Sequence, residues 1–572
     1  MISLNLHQVP FSRFGSYMAF SMFEGKGGRA EIPAIPAGLY FRTIRGNAAQ
    51  RELFRVELAR NGNVIPMTVH ASPASLVLKA DGAQATLVFP EPDILRIKVE
   101  GATLRFSLAL PPRPWQYEFA IPLGANRWQV NIWPNIHNFL LTTQTGTLAV
   151  SAPWNGSHCS GITADFGPGE SAIEEFRSTA PAGKYPPFQE TAGRAGQLFE
   201  DWLRRTLPAP DEYAEARELA AYINWATVVN PSENLTRPAM YMSKNWMTNI
   251  WSWDHCFNSL ALAKSDPALA WDQFMVMFDY QDEFGALPDS VNDRSALWNF
   301  VKPPVHGWTL ARLLRANSGY FSGRLQETYE PLSRWTRWWM EHRDSDGDGI
   351  PEYNHGNDSG WDNSTVFKDG CPVEAADLTT YLIIQMDTLA DVADRLGKPA
   401  ESAKWREEAR ALLERFMKHS MRDGRFVSPR SGSHALAPGD SLIDWMPLIL
   451  GKRLPEKVRG MMLAEVSREG RFLTPYGLAT ENPVSPHYVS DGYWLGPIWA
   501  PPTLMLADAL TEAGNGILAG KLSKQYCAMC AKEGFAENFD SLTGVGYRDR
   551  AYTWTSSVFL LLAETLSGPR LG

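Results

Sequence analysis

The sequence predicts a mainly α protein in which an antiparallel β-sandwich precedes a toroid of paired helices. Three observations carry this prediction: alternation with a period of two in the first third, a proline- and glycine-rich segment over 178–193, and helical periodicity after it. With 572 residues, 44% of them apolar, the chain can fill more than one hydrophobic core. We therefore expect a β-sandwich domain over 1–185 and a helical domain over 186–572.

Strands are predicted between about 50 and 110, where apolar residues occupy every second position. Asp81-Gly82 lies between two such runs and is typical of a tight hairpin, and Glu100-Gly101 separates the next two. The alternating apolar residues are Leu95, Ile97, Val99, Leu104, Phe106, Leu108 and Leu110.

Helical periodicity dominates the second domain. The predicted helices cover 210–229, 255–264, 267–280, 305–317, 325–342, 374–396, 400–418, 455–467, 500–513, 516–532 and 551–566. Such a series of helices suits a toroid of helix pairs, in which the loops at one end converge on a central pocket. The aromatic and acidic clusters of the sequence fall in those loops.

Composition excludes several classes of partner. A net charge of −9 repels nucleic acid backbones and anionic lipid surfaces, so neither is expected to bind. The first residues lack a basic start and a long apolar run, and we expect a cytoplasmic protein.

Five scattered cysteines argue against a disulfide framework, and helical core packing explains Cys527 and Cys530 better than redox chemistry or metal binding does. The sequence predicts no particular oligomeric state.

Two short segments each place a carboxylate among aromatic, Asn, Ser and Gly residues. They are SGWDNS at 359–364, which contains Asp362, and GFAENFDSLTG at 534–544, which contains Glu537. Cleavage of a glycosidic bond needs one carboxylic acid to protonate the leaving oxygen and a second carboxylate to activate water or attack carbon. The pair therefore indicates a sugar-cleaving site, although Asp362 alone also fits an Asx turn.

Aromatic residues accompany the carboxylates. The segment NIWSWDHCF places Trp251 and Trp253 beside Asp254 directly before a helix, and YWLGPIW at 493–499 has the same character. Indole rings stack on the apolar faces of sugars, while a carboxylate accepts hydrogen bonds from their hydroxyl groups. The alternative is that the tryptophans belong to the core and that Asp254 caps the helix. A first-domain loop that contains Trp133 is expected to close one side of the same pocket.

The loop DSDGDGIPE at 344–352 has acidic residues on alternate positions, with glycines between them. Oxygen ligands at this density suit Ca²⁺, although the spacing departs from an EF-hand because no glutamate stands at position twelve. A solvated acidic turn is the alternative. The predicted ligands, one of them a main-chain carbonyl, are Asp344, Asp346, Asp348, Ile350 and Glu352. A structural calcium ion here would brace the nearby loop that carries Asp362.

Four segments together resemble glycoside hydrolase family 63 and its bacterial mannosylglycerate and glucosylglycerate hydrolase members: NIWSWDHCF, SGWDNS, YWLGPIW and AENFDSLTG. The resemblance covers roughly 210–565 and extends more distantly to trehalases. It implies an (α/α)6 barrel, which in some members follows a β-sandwich and binds calcium. It also implies a hydrolase that acts with inversion on α-glycosides, most often α-glucosides. We expect no organic cofactor.

By this resemblance the general acid is Asp362 and the general base is Glu537. Inversion requires room for a water molecule, so the two carboxyl groups should stand ~6.5–9.5 Å apart. Trp361 and its neighbours should raise the pKa of Asp362 by excluding water. The residues expected to bind the sugar are Trp251, Trp253, Asp254, Lys302, Trp361, Tyr493, Trp494, Gly496 and Trp499.

Two positions depart from the family's pattern. Lys302 stands where the family commonly has Gln, and Asp358 stands where Glu commonly precedes SGWDNS. A lysine at the sugar site would favour an anionic group on the substrate, whereas a solvated Lys302 would have no such role. The expected function is an inverting, exo-acting α-glycosidase on an oligosaccharide or glycoconjugate. The alternatives are a trehalase-like, rhamnosidase-like or acidic-sugar enzyme on the same barrel, and a sugar-binding protein without catalysis.

Overall fold

The chain forms two compact units in the computed structural model, which describes residues 1–25, 35–46, 51–110, 117–132 and 137–568. The first unit holds Met1–Arg205, Ala221–Asn230 and Ser243–Thr248. The second unit holds Thr206–Ala220, Pro231–Met242 and Asn249–Gly572. Trp133, to which the sequence assigned a place beside the pocket, lies outside the described residues.

The first unit is an antiparallel β-sandwich, as the sequence predicts. Its strands are β1 (Met18–Phe23), β2 (Gly38–Thr43), β3 (Glu52–Arg60), β4 (Asn63–Val64), β5 (Thr68–Ala71), β6 (Leu76–Ala80), β7 (Ala83–Glu91), β8 (Ile94–Glu100), β9 (Thr103–Leu108), β10 (Phe119–Pro122), β11 (Arg127–Asn131), β12 (Asn138–Thr143), β13 (Leu148–Ser151), β14 (Thr163–Phe166) and β15 (Gly169–Phe176). One sheet has the order β1-β2-β3-β9-β14-β13, with β4 beside β3, and the other has the order β10-β11-β12-β15-β8-β7-β6-β5. The apolar faces meet at Phe41 on β2, whose ring centroid lies 5.8 Å from that of Phe139 on β12.

The two turn signals have different outcomes. Asp81-Gly82 forms the predicted hairpin, in which Ala80 of β6 pairs with Ala83 of β7. Gly101 instead connects β8 to β9, which belong to different sheets. A Cβ atom at Gly101 would lie 2.0 Å from the Gly82 carbonyl oxygen, so the close approach of the two turns requires glycine.

A helix that the sequence did not predict follows the strands. It is α1 (Phe188–Arg205), which packs on β7, where Phe188 and Ala195 form a buried apolar cluster with Val88. The first unit therefore continues past the predicted boundary at residue 185 and includes α1.

The later helices coincide with the predicted stretches to within a few residues, apart from the short α6. They are α2 (Ala214–Thr227), α3 (Asp254–Leu262), α4 (Pro267–Met275), α5 (His306–Ala316), α6 (Ser318–Phe321), α7 (Leu325–His342), α8 (Ala376–Arg395), α9 (Pro399–Ser420), α10 (Glu456–Val466), α11 (Ala500–Glu512), α12 (Gly516–Glu533) and α13 (Thr553–Leu566). A 3₁₀ segment, Leu442–Arg453, is also absent from the prediction. Within the described ranges, every helix is too short or too polar to cross a bilayer.

Six elements of the described chain form a closed inner ring. In order around the ring, α3 packs on α5, α5 on α8, α8 on the 3₁₀ segment, that segment on α11, α11 on α13, and α13 back on α3. The helices α4, α7, α9, α10 and α12 alternate with the ring members along the chain, and each packs against at least one of them. This arrangement is an (α/α)6 barrel, which confirms the predicted fold.

The loops before the inner helices carry the predicted functional residues. Asp254 is the first residue of α3, Lys302 precedes α5, and Asp362 precedes α8. Trp499 is the N-cap of α11, and Glu537 precedes α13. Because inner and outer helices alternate, the inner helices run in the same direction, and their N-terminal ends bring these loops together at one end of the ring.

Candidate active site

Asp362 lies in a tight loop that is packed on a tryptophan. Gly360 has a φ of 70°, and a Cβ atom there would lie 2.5 Å from the Trp253 ring, so the SGWDNS motif requires glycine at this position. Burial raises the pKa of Asp362 to about 6, with Lys302 opposing this effect and Asp289 adding to it. A carboxyl group with this pKa is half protonated near pH 6, which suits a general acid.

Asn363 ties the acid loop to the YWLGPIW segment. Its side-chain NH₂ donates a hydrogen bond to the Gly492 carbonyl at 3.0 Å. Its side-chain oxygen accepts one from the main-chain N–H of Trp494, also at 3.0 Å. Within the second segment, the Trp499 indole donates to the Tyr493 carbonyl at 2.8 Å. The two motifs are therefore one hydrogen-bonded assembly, although they are far apart in the sequence.

Glu537 is held from two sides. Its N–H donates to the Asp549 carbonyl at 2.8 Å, and the Tyr493 hydroxyl donates to its Oε1 at 3.0 Å. Burial raises the pKa of Glu537 to about 7, while the Tyr493 hydrogen bond and the charge of Arg548 lower it. The charges of Asp549 and Asp362 are further causes of the rise.

Lys302 is buried and ion-paired. Its Nζ lies 2.8 Å from Asp289 Oδ1, donates to the Asn357 main-chain carbonyl at 2.6 Å, and also donates to the Asn357 side-chain oxygen. Lys302 is therefore not solvated, which corrects that alternative. Its role in binding the substrate stays a prediction. Its charge lowers the pKa of Asp362 and opposes the burial that holds the pKa of Asp254 well above its ordinary value.

The predicted aromatic residues fall into two groups. Trp251 and Tyr493 keep part of their rings exposed, whereas the others are buried. Trp494 stacks on Trp499 with ring centroids 4.1 Å apart, and its centroid lies 4.7 Å from that of Trp361. The buried members are Trp253, Trp361, Trp494 and Trp499. Trp253 therefore fits the alternative that the tryptophans of NIWSWDHCF are core residues, and its ring packs with those of the other three.

Two other predicted sugar-binding residues have different local roles. Asp254 is buried at the first position of α3, whose N-cap is Trp253, so the carboxylate is not the helix cap that the alternative assigned. Gly496 has a φ of 155°, and a Cβ atom there would lie 2.5 Å from the Tyr488 ring. Its N–H donates to the Thr480 hydroxyl at 3.1 Å. Gly496 therefore permits close packing of the YWLGPIW segment.

Asp358 braces the acid loop. It pairs with Arg343 at 2.9 Å and accepts hydrogen bonds from the N–H groups of Val301 and Asn354, each at 3.1 Å. Val301 is the neighbour of Lys302, so the buried Asp358 carboxylate holds the segment that carries Lys302. The two positions that depart from the family's pattern are therefore linked in the structure.

A pocket of about 480 Å³ opens beside Asp362. The basic side chains among its described lining residues are His355, Lys368 and His487, and Asp362 is the only acidic one. Lys368 Nζ lies 2.8 Å from His487 Nδ1, so these two residues form one hydrogen-bonded basic group. The pocket thus combines the candidate general acid with a positively charged wall.

Sequence reasoning missed three polar residues of the site. Asp289 and Asn357 hold Lys302, and Arg548 lies over the Tyr493 ring at 5.0 Å. Asp289 and Asn357 stand in the loops LPDSVND and HGND, whose density of Asp and Asn before an inner helix was an available signal. Arg548 has no such signal, because its role depends on the fold of the loop after Glu537.

The predicted calcium loop is only partly assembled. The carboxylates that approach one another within 4.8 Å are those of Asp344, Asp346 and Asp348. Glu352 lies outside this group and accepts a hydrogen bond from the Ser345 hydroxyl at 2.9 Å, while the Ile350 N–H donates to Asp348 Oδ1 at 2.8 Å. A second group shares one of the aspartates and consists of Asp348, Glu374, His419 and His434. The calcium ion stays a prediction.

Comparison with known families decides the affiliation. The model of the mannosylglycerate hydrolase MGH1-like glycoside hydrolase domain matches residues 247–555, which include every active-site loop described above. The chain belongs to this family. It is therefore a glycoside hydrolase of family 63, as the sequence resemblance indicated.

Individual relatives agree with this assignment. Mannosylglycerate hydrolase MGH1 of Selaginella moellendorffii is 20% identical over 392 residues, which are 54% of this chain and 79% of the relative. Mannosylglycerate hydrolase of Rubrobacter radiotolerans is 23% identical over 406 residues, 56% of this chain and 91% of the relative.

Solved structures share the fold of this family 63 protein. The mannosylglycerate hydrolase of Thermus thermophilus in complex with glucose has a TM-score of 0.52 at 21% identity, over 61% of this chain and 99% of that one. A bacterial glucoamylase complexed with acarbose has a TM-score of 0.62 at 10% identity, over 99% of this chain and 95% of that one. At these identities the likeness concerns the fold alone.

Proposed function

We propose that this glycoside hydrolase is an inverting, exo-acting enzyme that cleaves an α-glucosidic bond in a small glycoconjugate whose leaving group carries a carboxylate. The observation that carries the proposal is the pairing of Asp362 and Glu537. Both carboxyl groups are largely removed from solvent on loops at the same end of the barrel, and burial raises the pKa of both into the range of working acid and base groups.

The proposed reaction is a single displacement. Asp362 gives its proton to the glycosidic oxygen, which leaves with the aglycone as the bond to the anomeric carbon breaks. Glu537 takes a proton from a water molecule whose oxygen bonds to that carbon from the opposite face. Tyr493 occupies Glu537 Oε1, which leaves Oε2 to receive the water proton. An α-glycoside therefore gives a β-configured sugar.

The sugar itself is assigned to the side of Asp254, Asp289 and Trp251. The two carboxylates offer acceptors for sugar hydroxyl groups, and the exposed part of the Trp251 ring offers an apolar face. Lys302 balances the charge of Asp289, so the pair can stay buried without an uncompensated anion. We assign these buried residues to the closed end of the sugar site. A closed end admits only a terminal sugar, so the enzyme acts on chain ends.

The leaving group is assigned to the pocket beside Asp362. A general acid faces the oxygen that departs, so the pocket that it lines receives the aglycone. The Lys368 and His487 pair gives this pocket a cationic wall that suits a carboxylate. The named relatives are mannosylglycerate hydrolases, and glycerate is a leaving group with this chemistry. Their name also makes an α-mannoside the main alternative to an α-glucoside.

Proton NMR at early reaction times tests the proposal. The panel contains glucosylglycerate, mannosylglycerate, kojibiose, nigerose and trehalose, and the anomeric signal of the released sugar is followed before mutarotation. A β-anomer that appears first supports inversion, and an α-anomer that appears first contradicts it. Glucosylglycerol, which lacks the carboxylate, is the matched control for the leaving group. Equal kcat/KM for glucosylglycerol and glucosylglycerate would contradict the assigned carboxylate, and faster turnover of mannosylglycerate would correct the sugar.

A further inference from the structure

Two histidines and two carboxylates converge outside the active site. Asp348 belongs to the acidic loop after α7, Glu374 precedes α8, His419 lies in the last turn of α9, and His434 follows in a later loop. Four separate segments of the chain thus present one ligand-type atom each to a common point. None of the four residues takes part in the proposed reaction.

The spacing of these atoms approaches that of a metal site. His419 Nε2 lies 3.1 Å from Asp348 Oδ2 and 3.0 Å from Glu374 Oε2. His434 Nε2 lies 3.5 Å from Asp348 Oδ2 and 3.7 Å from Glu374 Oε1. Four ligands at ~2.0–2.2 Å from one ion in tetrahedral geometry are separated by about 3.3–3.6 Å. One ligand atom from each of the four residues lies within 4.8 Å of the others, so side-chain adjustment, including that of the Glu374 carboxylate, brings the donors onto a single ion.

Glu374 supplies an independent reason to expect a cation. Its side chain has no solvent exposure, and neither carboxylate oxygen has a hydrogen-bond partner in the described chain, although both face the two imidazole rings. Asp348 Oδ2 and His419 Nε2 are likewise buried without a hydrogen bond of acceptable geometry. A buried carboxylate in this state is costly unless a cation compensates it.

The donor set does not fit calcium. Calcium takes six to eight oxygen ligands, whereas two of the four donors here are imidazole nitrogens, and Glu352 of the predicted calcium set is bonded to Ser345 instead. Imidazole and carboxylate together suit zinc and related divalent transition metals. His434 Nε2 also lies 3.1 Å from Asp346 Oδ2, which makes Asp346 the neighbouring carboxylate that a bound metal would displace from this ring.

We propose that Asp348, Glu374, His419 and His434 form a structural zinc site. Asp348 and Glu374 stand on either side of Asp362 in the sequence, and the segments that carry them are already joined by the bridge between Tyr353 and Val373. Zinc therefore closes the base of the loop that presents the general acid and ties it to the end of α9. The ion has four protein ligands and no open position, so its role is to hold the loop in place.

Metal content and thermal unfolding test the site in the full chain. The protein is stripped with EDTA, given one equivalent of ZnCl2 or an excess of CaCl2, desalted and measured by elemental analysis and differential scanning calorimetry. We expect about one zinc ion per chain and a clear rise in Tm with zinc, and neither effect with calcium. Cobalt in place of zinc should give the intense visible absorption of four-coordinate Co²⁺, a readout that does not depend on activity.

Three variants separate the competing explanations. His419→Gln/His434→Gln should lose the zinc, the Tm rise and the cobalt absorption, whereas Asp344→Asn, which removes a predicted calcium ligand outside the proposed zinc set, should keep all three. The matched control His7→Gln/His70→Gln removes two exposed histidines of the first unit and should behave as the parent chain. Absence of zinc binding by the parent chain would reduce the group to ion pairs and overturn the proposal. A calcium-dependent Tm rise that survives in His419→Gln/His434→Gln would overturn it in favour of the calcium loop.

Discussion

The loops of Asp362 and Glu537 hold their carboxyl groups by different means. Asp362 lies beside a tryptophan layer, and the distant charges of Lys302 and Asp289 adjust its pKa, whereas Glu537 receives a direct hydrogen bond from Tyr493. Burial raises the pKa of both groups, to about 6 and about 7. The difference teaches that burial dominates at both positions, and that the hydrogen bond from Tyr493 lowers the pKa of Glu537 without bringing it below that of Asp362.

The largest expected effect comes from removing the two carboxyl groups one at a time. Asp362→Asn and Glu537→Gln should each lower kcat on the natural substrate by at least about 10²–10⁴-fold, because each step of proton transfer loses its partner. A 2,4-dinitrophenyl α-glucoside separates the roles, since its leaving group departs without protonation. Asp362→Asn should retain most of the parental rate on this compound, and Glu537→Gln should not. Equal losses on both substrates would contradict the assignment of acid and base.

The same two variants should be more stable than the parent protein. The folded-state pKa of each carboxyl group is raised, so the folded chain binds more protons than the unfolded chain between about pH 4 and pH 7, and stability falls as pH rises through that window. Replacement by a neutral amide should therefore increase the free energy of unfolding by up to about 3 kcal/mol above pH 7. Denaturant unfolding at pH 5 and pH 8 measures this. If a variant is both inactive and less stable than the parent at pH 8, its lost activity is explained by misfolding and not by the missing carboxyl group.

A further prediction concerns the ion pair between Lys302 and Asp289. Lys302→Gln, which restores the residue common in the family, should destabilise this chain by about 3–5 kcal/mol because it leaves Asp289 buried without its cation. The double variant Lys302→Gln/Asp289→Asn should recover most of that loss. Lys302 lowers the pKa of Asp362. The single and the double variant both lack this lysine, so the pKa of Asp362 should be higher in both than in the parent protein. Chemical unfolding of the two variants checks the first effect, and an unaltered stability of Lys302→Gln would contradict it.

The fold, and the loops that carry the candidate pair, were accessible from the sequence because their signals are local. Strand alternation, helical periodicity and a carboxylate among turn residues each lie within one short segment, and they predicted the sandwich, most helices, and the loops of Asp362 and Glu537. The helix α1 was missed because the Pro-rich start of its region reads as a linker, while its buried face packs on β7.

What the sequence did not predict depends on contacts between distant segments. A tryptophan in a loop looks the same in the sequence whether it stays half-buried, as Trp251 does, or packs in a stack of other rings, as Trp494 does. The alternative of a solvated Lys302 arose because its partner Asp289 lies in a different loop. The acidic loop was likewise matched with Glu352 by spacing, whereas the fold brings His419 beside Asp348.

A smaller effect should follow from removing the hydrogen bond that only the base receives. The kcat/KM of the parent protein should show a bell-shaped pH profile with limbs near pH 6 and pH 7, the pKa values of Asp362 and Glu537. Tyr493→Phe removes a bond that lowers the pKa of Glu537, so that pKa rises. The upper limb should move to higher pH by up to about one unit, and the maximum should fall by up to about tenfold. Movement of the lower limb alone would assign the higher pKa to Asp362.

The smallest effect should come from the cationic wall of the leaving-group pocket. Lys368→Met should raise KM for glucosylglycerate about fivefold, the effect typical of one partly exposed charge pair, with little change in kcat because Lys368 transfers no proton. The loss should shrink at high salt, which screens the interaction in the parent protein as well. Glucosylglycerol should show no change, and Lys457→Met, at an exposed position of α10, should match the parent on both compounds. An equal rise of KM for the neutral glycoside would assign Lys368 to the shape of the pocket and leave the charge of the leaving group without support.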